Sequence, residues 1–410
     1  MKTAGIIAEY NPFHTGHMRQ LSFVRETLCA DYIIAVMSGD FVQRGTPALL
    51  PKHVRAEAAL RCGADLVLEL PVCAATASAE LFARCAVEIL DGTGVTDVLC
   101  FGSEEGELPL FQKTAAILSE EPEEYRTLLK AALKTGLSFP AARSRALASY
   151  IKEADPPADL PAYGQFLAKP NNILGIEYCK ALHCLRSRIQ PVTLRREGSG
   201  YHDLELSRDF APSASGIRAW LKEHGSGDLN GLLPEASLSL LDTAVRNHRL
   251  LFEDDLDTLL AYCLFSETKE SLCEYQDVSP ELASRIIRMR NQYSGFLPFA
   301  ALLKTKELTQ TRIRRCLLHI LLHIKSTPRS PGYARVLGFR KSAAPLLSAI
   351  KKEGRIPLLT KAADAPGLLS GHQLELFEET TFASNIYETL LSAKSRVPFV
   401  HEYQKPVIIL

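Results

Sequence analysis

Over the first hundred positions, apolar residues fall into short, almost unbroken runs separated by amphipathic stretches. Ala4-Gly-Ile-Ile-Ala-Glu9, Tyr32–Met37, Asp65-Leu-Val-Leu-Glu-Leu70 and Asp97–Phe101 read as four strands; Pro71 closes the third and Gly102 the fourth. Met18, Leu21, Val24 and Leu28 recur at spacings of three and four, one face of a helix. Val54–Leu60 and Ser78–Leu90 read as the next two helices. Nearly all-apolar strands alternating with amphipathic helices predict an α/β fold, a Rossmann-like parallel sheet covered on both faces. Such sheets bind ligands at the C-terminal ends of their strands. The loops after Glu9, Met37, Leu70 and Phe101 are therefore where chemistry is expected.

Later segments read differently. Leu108 to Ala154 is helical in pattern, and residues 108–165 are expected to be a helical insertion, with Pro156-Pro157 to Pro161 a turn or linker. Asn172 is a good N-cap for a helix beginning at Ile173, and Arg188–Arg196 reads as a strand leading into Gly198–Asp203. Helices dominate from Gly225 to about Lys325, followed by short strands and helices that include Ile356–Thr360. The expected division is a catalytic domain over 1–230, a helical region over 231–330 and a small α/β region over 331–410.

Composition narrows the class. At ~150 residues per domain, 410 residues imply two or three domains. With 46% hydrophobic and 23% charged residues the chain is not a disordered one. No apolar run approaches the ~18 residues of a membrane span; the longest candidate, Cys316–Ile324, is interrupted by His319 and His323. Glu9 breaks the apolar stretch Ala4–Ala8, so no signal peptide is expected. The ten Cys are scattered without a CxxC pair, which suits reduced thiols in a cytoplasmic protein.

The turn from the first strand into the first helix carries Glu9-Tyr-Asn-Pro-Phe-His14-Thr-Gly16-His17. A helix N-terminus attracts phosphate through unpaired N–H groups and its partial positive charge. Two imidazoles there can donate to nucleotide phosphates as charge grows in an in-line displacement. Gly16 lets the backbone approach a nucleotide closely, Pro12 shapes the turn and Asn11 can hydrogen-bond locally. A metal pair at this spacing would want a third ligand, and no HxxE or Cys partner lies nearby, so no metal site is expected. Other phosphate loops, GxxxxGK[ST] or GxGxxG after the first strand, are absent. Ser213-Ala-Ser215-Gly-Ile-Arg218, after a loop with Pro212, opens a helix with hydroxyls and places an Arg one turn on, a second candidate phosphate cradle.

These motifs resemble the nucleotidyltransferase superfamily that shares a HIGH motif with class I aminoacyl-tRNA synthetases; Ser213–Arg218 resembles its ISSTxxR-like second motif. The segment Gly5–His17 is similar, more closely, to the opening of the bacterial tRNA(Met) cytidine acetate ligases. So are Met37-Ser-Gly39 with Val42-Gln-Arg-Gly45, Gly63–Pro71, Phe101-Gly-Ser-Glu104, Pro170–Gly175, Arg196–Asp203 and Arg335–Phe339. The resemblance spans nearly the whole chain. It implies activation of acetate by ATP as acetyl-adenylate, then acetylation of N4 of the wobble cytidine of elongator tRNA(Met). The implied substrates are ATP, acetate and that tRNA. Mg2+ is an open candidate, and no obligate protein partner or membrane is expected.

By the same resemblance His14 and His17 are catalytic. ATP would lie along Ile7, Ala8, Glu9, Tyr10, Asn11, Pro12, Phe13, His14, Thr15, Gly16, His17, Met18, Arg19 and Gln20. Gly102, one of Asn171 or Asn172, and Arg196 or Arg195 would complete the site. Arg19 and Gln20 receive no catalytic role.

Charge distribution adds a partner. The chain balances 47 Lys+Arg against 47 Asp+Glu, which in total argues against nucleic acid. From Arg285 to Lys341, however, there are 13 Lys+Arg and one acid, Glu307, preceded over Glu253–Glu281 by nine acids and one base. Basic helices with interleaved aromatics suit phosphate-backbone binding. Arg312, Arg314 and Arg315 form the densest part and are the expected tRNA contacts. Two other functions share parts of this pattern. A small-molecule nucleotidyltransferase of cofactor biosynthesis needs the site but neither the basic segment nor this length. A non-catalytic RNA-binding protein needs the basic segment but not an intact His14–Gly16–His17.

Overall fold

The computed structural model describes residues 1–154, 160–196, 213–225, 229–325 and 330–410. Pro156-Pro157, Gly198–Asp203, Pro212 and Arg329 lie outside the described residues. The four apolar runs form β1 (Thr3–Ala8), β2 (Tyr32–Ser38), β5 (Leu66–Leu70) and β6 (Val98–Ser103); between them sits an antiparallel hairpin, β3 (Phe41–Val42) with β4 (Thr46–Pro47). Later come β7 (Gln190–Arg195), β8 (Ala334–Phe339), β9 (Leu358–Leu359) and β10 (Ile408–Ile409). The main sheet runs β10-β8-β5-β2-β1-β6-β7, with β9 on β8.

The core is a parallel sheet: Thr3 lies opposite Tyr32, Ala8 opposite Met37, and Gly5 faces Leu99 across the other edge of β1. One pairing departs from the expected parallel pattern. β8 runs antiparallel to β5, with a register shift between Val67 and Leu68. A strand buried on both faces has the same apolar pattern in either direction, so its own residues do not announce its polarity. β8, β9 and β10 come from the segment beyond residue 330, and they extend the sheet formed by the first hundred residues.

Side chains alternate between two covering layers, as the period of a strand requires. Ile33, Ala35 and Met37 pack with Leu21, Val24, Ala56 and Leu60. Ile34 and Val36 face the other way, onto Phe82, Ala86, Leu90 and the helix Pro170–Leu185. In the first helix, Thr15–Ser22, which continues as a π-helical turn through Thr27, the core-facing residues are Leu21 and Val24, whereas Met18 is 41% exposed. That buried stripe is turned relative to the predicted face, with His17 rather than Met18 one turn before Leu21.

Helices Leu108–Glu120, Glu123–Lys134, Phe139–Ala154 and Leu160–Ala168 cover the segment expected to be helical, the last of them ending beyond residue 165. The helix expected at Asn172 starts earlier: Lys169 is its cap and Pro170 its first residue, so Asn172 lies inside the first turn. A second apolar core gathers Leu260, Leu282, Phe299 and Leu317 from the helical segment with Phe377 and Leu391 of the long helix His372–Ser395. A buried ionic network joins it to the sheet edge. Lys52 Nζ lies 2.7 Å from Glu69 and 2.8 Å from Glu402, and Arg335 lies 2.7 Å from Glu69 and 2.6 Å from Glu402. Among the described residues no helix is long and apolar enough to cross a membrane. Five of the ten thiols are buried, while Cys29, Cys184 and Cys273 are exposed.

Candidate active site

From β1 the chain builds outward to β2 and β5 on one side, and returns to β6 and β7 on the other. The crevice above the C-terminal ends of β1 and β6 is therefore a topological switch point, where loops diverge and leave room for a ligand. A cleft of about 410 Å³ opens there, between the loop after β1, the loop after β6 and the helix Ala214–His224.

His14 and His17 lie on its floor. His14 caps the helix Thr15–Ser22, its Nδ1 accepting from the Gly16 N–H at 3.1 Å. His17 Nδ1 accepts from the His14 N–H at 3.2 Å. An imidazole nitrogen that accepts carries no proton, so in each neutral ring the proton is assigned to Nε2. Burial, with Arg196 adding to it, lowers the His14 pKa to about 3; burial, His14 and Arg196 hold His17 well below the usual range. Both rings are thus neutral near pH 7, with Nε2–H as the donor left for a ligand.

The second motif closes over the first. Ser213 caps its helix by accepting from the Gly216 N–H at 3.0 Å, and Arg218 Nη1 donates to the Asn11 carbonyl at 2.8 Å. Asn11 Oδ1 in turn accepts from the Leu49 N–H at 2.8 Å. Thr15 Oγ1 donates to the Leu232 carbonyl and Ser237 Oγ to the Phe13 carbonyl. The loop from Tyr10 to Thr15 is therefore clamped by Arg218, Leu232 and Ser237, some 200 positions away in sequence. Ser213, Ser215 and Arg218 line the same cleft as His14 and His17.

The opposite wall comes from β6, β7 and the helix Pro170–Leu185. Gly102 lies beneath Arg196, whose Cγ would stand 3.4 Å from a Cβ placed there. Arg196 faces the cleft; Arg195, its neighbour on the strand, turns away and packs against Gly106. Asn171 likewise lines the cleft, while Asn172 is fully buried, giving Nδ2 to the Phe166 carbonyl and accepting from the Glu104 N–H.

Within residues 7–20, the cleft is lined by Ile7, Ala8, Glu9, Tyr10, Asn11, His14, His17 and Gln20. Phe13 sits in the core, Pro12 is buried, Thr15 serves Leu232, and Gly16 serves His14. Met18 and Arg19 are exposed on the helix. Lining residues not singled out from the sequence are Gln43, Arg44, Phe82, Phe101, Glu104, Lys169, Leu174 and Tyr178. The loops after Met37 and Phe101 pointed to four of them. Leu174 and Tyr178 follow Asn171 at helical spacing, a signal visible only once the helix start is placed correctly.

The basic run is spent partly on the fold. Arg335 is buried in its ionic network, Arg285 donates to the carbonyls of Leu302 and Leu303, Arg290 to those of Leu264 and Glu267, and Arg340 to that of Leu60. Guanidinium groups satisfying terminal carbonyls of helices, together with the buried Arg335, take four cations out of a 13-to-1 count that reads, on paper, as a phosphate-binding face. Arg312, Arg314 and Arg315 are half-buried at the start of the helix Gln310–Leu321. Arg312 reaches the Asp277 carbonyl at 3.4 Å, and the Nε atoms of Arg314 and Arg315 are buried without a hydrogen-bond partner. Burial lowers the pKa of both, with Arg44 repelling Arg314. At Gly45, in left-handed conformation with φ +72°, a Cβ would fall 2.5 Å from the Arg315 nitrogen. The Gln43–Arg44 turn thus brings a cation from the cleft rim toward Arg314.

A family model described as HIGH Nucleotidyl Transferase matches residues 1–398. The tRNA(Met) cytidine acetate ligase of Halothermothrix orenii is 36% identical, covering 100% of this chain and 99% of that protein. The tRNA(Met) cytidine acetate ligase of a Thermoanaerobacter species is 39% identical, covering 98% and 99%. Two crystal structures of Thermotoga maritima TmcAL superpose over the full length of both chains. The apo form has a TM-score of 0.94 at 34% identity, and the form bound with alpha-thio ATP 0.91 at 33%. With the match running from end to end of its relatives and the HIGH-type site assembled at the switch point, the chain belongs to the tRNA(Met) cytidine acetate ligase family of HIGH nucleotidyl transferases.

Proposed function

We propose that this chain binds ATP in the β1/β6 cleft, activates acetate as acetyl-adenylate, and transfers the acetyl group to N4 of the wobble cytidine of elongator tRNA(Met). The observation that carries this reading is the convergence of two neutral Nε2–H donors, His14 and His17, with Arg196, Arg218, Ser213 and Ser215 around one cleft. Donors fixed in place before reaction stabilise charge as it develops and need no reorganisation. In the first step an acetate oxygen attacks the α-phosphorus and diphosphate leaves. In the second, the cytidine amine attacks the acetyl carbonyl, AMP leaves and one proton is lost. Any Mg2+ would enter on the triphosphate. A tRNA substrate places the work in the cytoplasm, with Arg44 and Arg314 at the approach to the cleft. ATP–diphosphate exchange tests the reading, run with and without acetate and tRNA on wild type and His17→Ala. Acetate-dependent exchange lost in the variant supports it; exchange indifferent to acetate overturns it, and no exchange at all points to a binding protein or to a nucleotidyltransferase whose acceptor is not in the assay.

A further inference from the structure

Beside the cleft, on the loop after β6, Glu104 reaches across to the first turn of the helix Pro170–Leu185. Its Oε1 accepts from Asn171 Nδ2 at 2.8 Å and from the Asn171 N–H at 3.4 Å. Its Oε2 accepts from the Asn172 N–H at 3.0 Å, and its own N–H donates to Asn172 Oδ1 at 3.0 Å. The carboxylate therefore fills the N-terminus of the helix Pro170–Leu185, which would otherwise attract a phosphate group. An Asn side chain can turn either its oxygen or its NH2 toward a ligand. Here one N–H of the NH2 is held by a carboxylate that can only accept, so the amide keeps that orientation and its oxygen, an acceptor, is turned away from Glu104.

We propose that Glu104 is a positioning and specificity residue: it bars the triphosphate from this helix end and fixes Asn171 as a hydrogen-bond acceptor. On the reading of the cleft as an ATP site, on which this proposal rests, Asn171 recognises a donor on the nucleoside. ATP offers two sources of that chemistry, the 6-amino group of adenine and the ribose hydroxyls. A site built around an acceptor discriminates against analogues that lack the donor, because its own group is then left unpaired.

The test measures KM and kcat in acetate-dependent exchange for ATP, purine riboside triphosphate and 2′-deoxy-ATP on wild type, Glu104→Gln and Glu104→Asp. In Glu104→Gln the new amide NH2 opposes an N–H donor, which releases Asn171 to rotate. The expected result is a KM for ATP raised ~10-fold with kcat within ~3-fold, and loss of wild-type discrimination against one of the two analogues. The analogue affected identifies the donor. Glu104→Asp, which keeps an acceptor-only group, should retain that discrimination. In an Asn171→Ala background, Glu104→Gln should bring no further loss of discrimination, since the two act as one unit. Unchanged discrimination in Glu104→Gln, or equal falls in kcat for all three nucleotides, would make Glu104 a helix cap and overturn the proposal. Absence of ATP-dependent exchange in wild type overturns the ATP reading itself, a separate outcome.

Discussion

The rings of His14 and His17 stack with centroids 3.7 Å apart and planes 26° from parallel, and each accepts at Nδ1 from a backbone N–H of the same helix turn. The stack and the paired caps make one rigid unit with two outward donors. Loss of either donor should fall on the charged transition state more than on the bound nucleotide. His17→Ala is expected to reduce the exchange rate ~10²–10³-fold with a much smaller change in ATP affinity. His17→Asn, whose side-chain NH2 is still a donor, should recover part of the rate. A rate within a few-fold of wild type for His17→Ala would remove the imidazole from the chemistry.

The same burial makes stability depend on pH. The folded-state pKa of His14, at about 3, lies below the ordinary 6.5, so the unfolded chain binds the extra proton between these values. Stability is therefore complete above pH 6.5 and is lost as pH falls toward 3. At pH 5 the loss from this one imidazole is about 2 kcal/mol. Chemical denaturation of His14→Gln should show a shallower decline between pH 7 and 5 than wild type; parallel declines would contradict the assignment.

Gly175 marks a close approach of the helix Pro170–Leu185 to β6 and to the helix Leu108–Glu120. A Cβ there would come 2.5 Å from the Phe101 ring and 2.7 Å from the Phe111 ring. Phe101 and Phe111 are buried and in edge contact with each other, so neither ring has room to yield. Gly175→Ala should destabilise the protein by about 1–3 kcal/mol. It should also raise the KM for ATP, because the same helix carries Asn171 and Tyr178. Thermal unfolding and exchange kinetics on one variant report both effects.

Among the described cations of the basic run, Arg335 is the one that is buried. It bridges Glu69 and Glu402, both also held by Lys52, and none of these four side chains is more than 5% exposed. Although burial pushes the Glu402 carboxyl up, Lys52 and Arg335 pull it far below the ordinary range. Removing one charge strands the others without water, so Arg335→Ala should cost about 3–5 kcal/mol. A loss below 1 kcal/mol in urea titration would show that the network relaxes or hydrates.

Arg314 supplies the test of the nucleic-acid face. Arg314→Glu should weaken tRNA binding about tenfold and lower the slope of log affinity against log salt by about 1. Filter binding across a salt series decides it, and an unchanged slope would move the phosphate contacts to another surface.

Local pattern carried β1, β2, β5 and β6, because a strand buried on both faces must be apolar at almost every position whatever surrounds it. It also carried His14, Gly16, His17 and the Ser213–Arg218 segment, since a helix start needs caps and small residues close together in sequence. What local pattern could not settle was which neighbour faces the ligand. Asn171 and Asn172, or Arg195 and Arg196, are equivalent in composition, and only the helix start at Pro170 and the alternation along β7 separate them. The polarity of β8, the burial of Arg335 against Glu69 and the hold of Glu104 on Asn171 depend on groups 67 to 273 residues apart. The strands and the turn that carries His14 and His17 were thus determined by the sequence itself, through interactions within a few residues. Orientation within the cleft, and the fate of each charge, were decided by the tertiary structure, because burial and pairing belong to the space around a side chain and not to its neighbours along the chain.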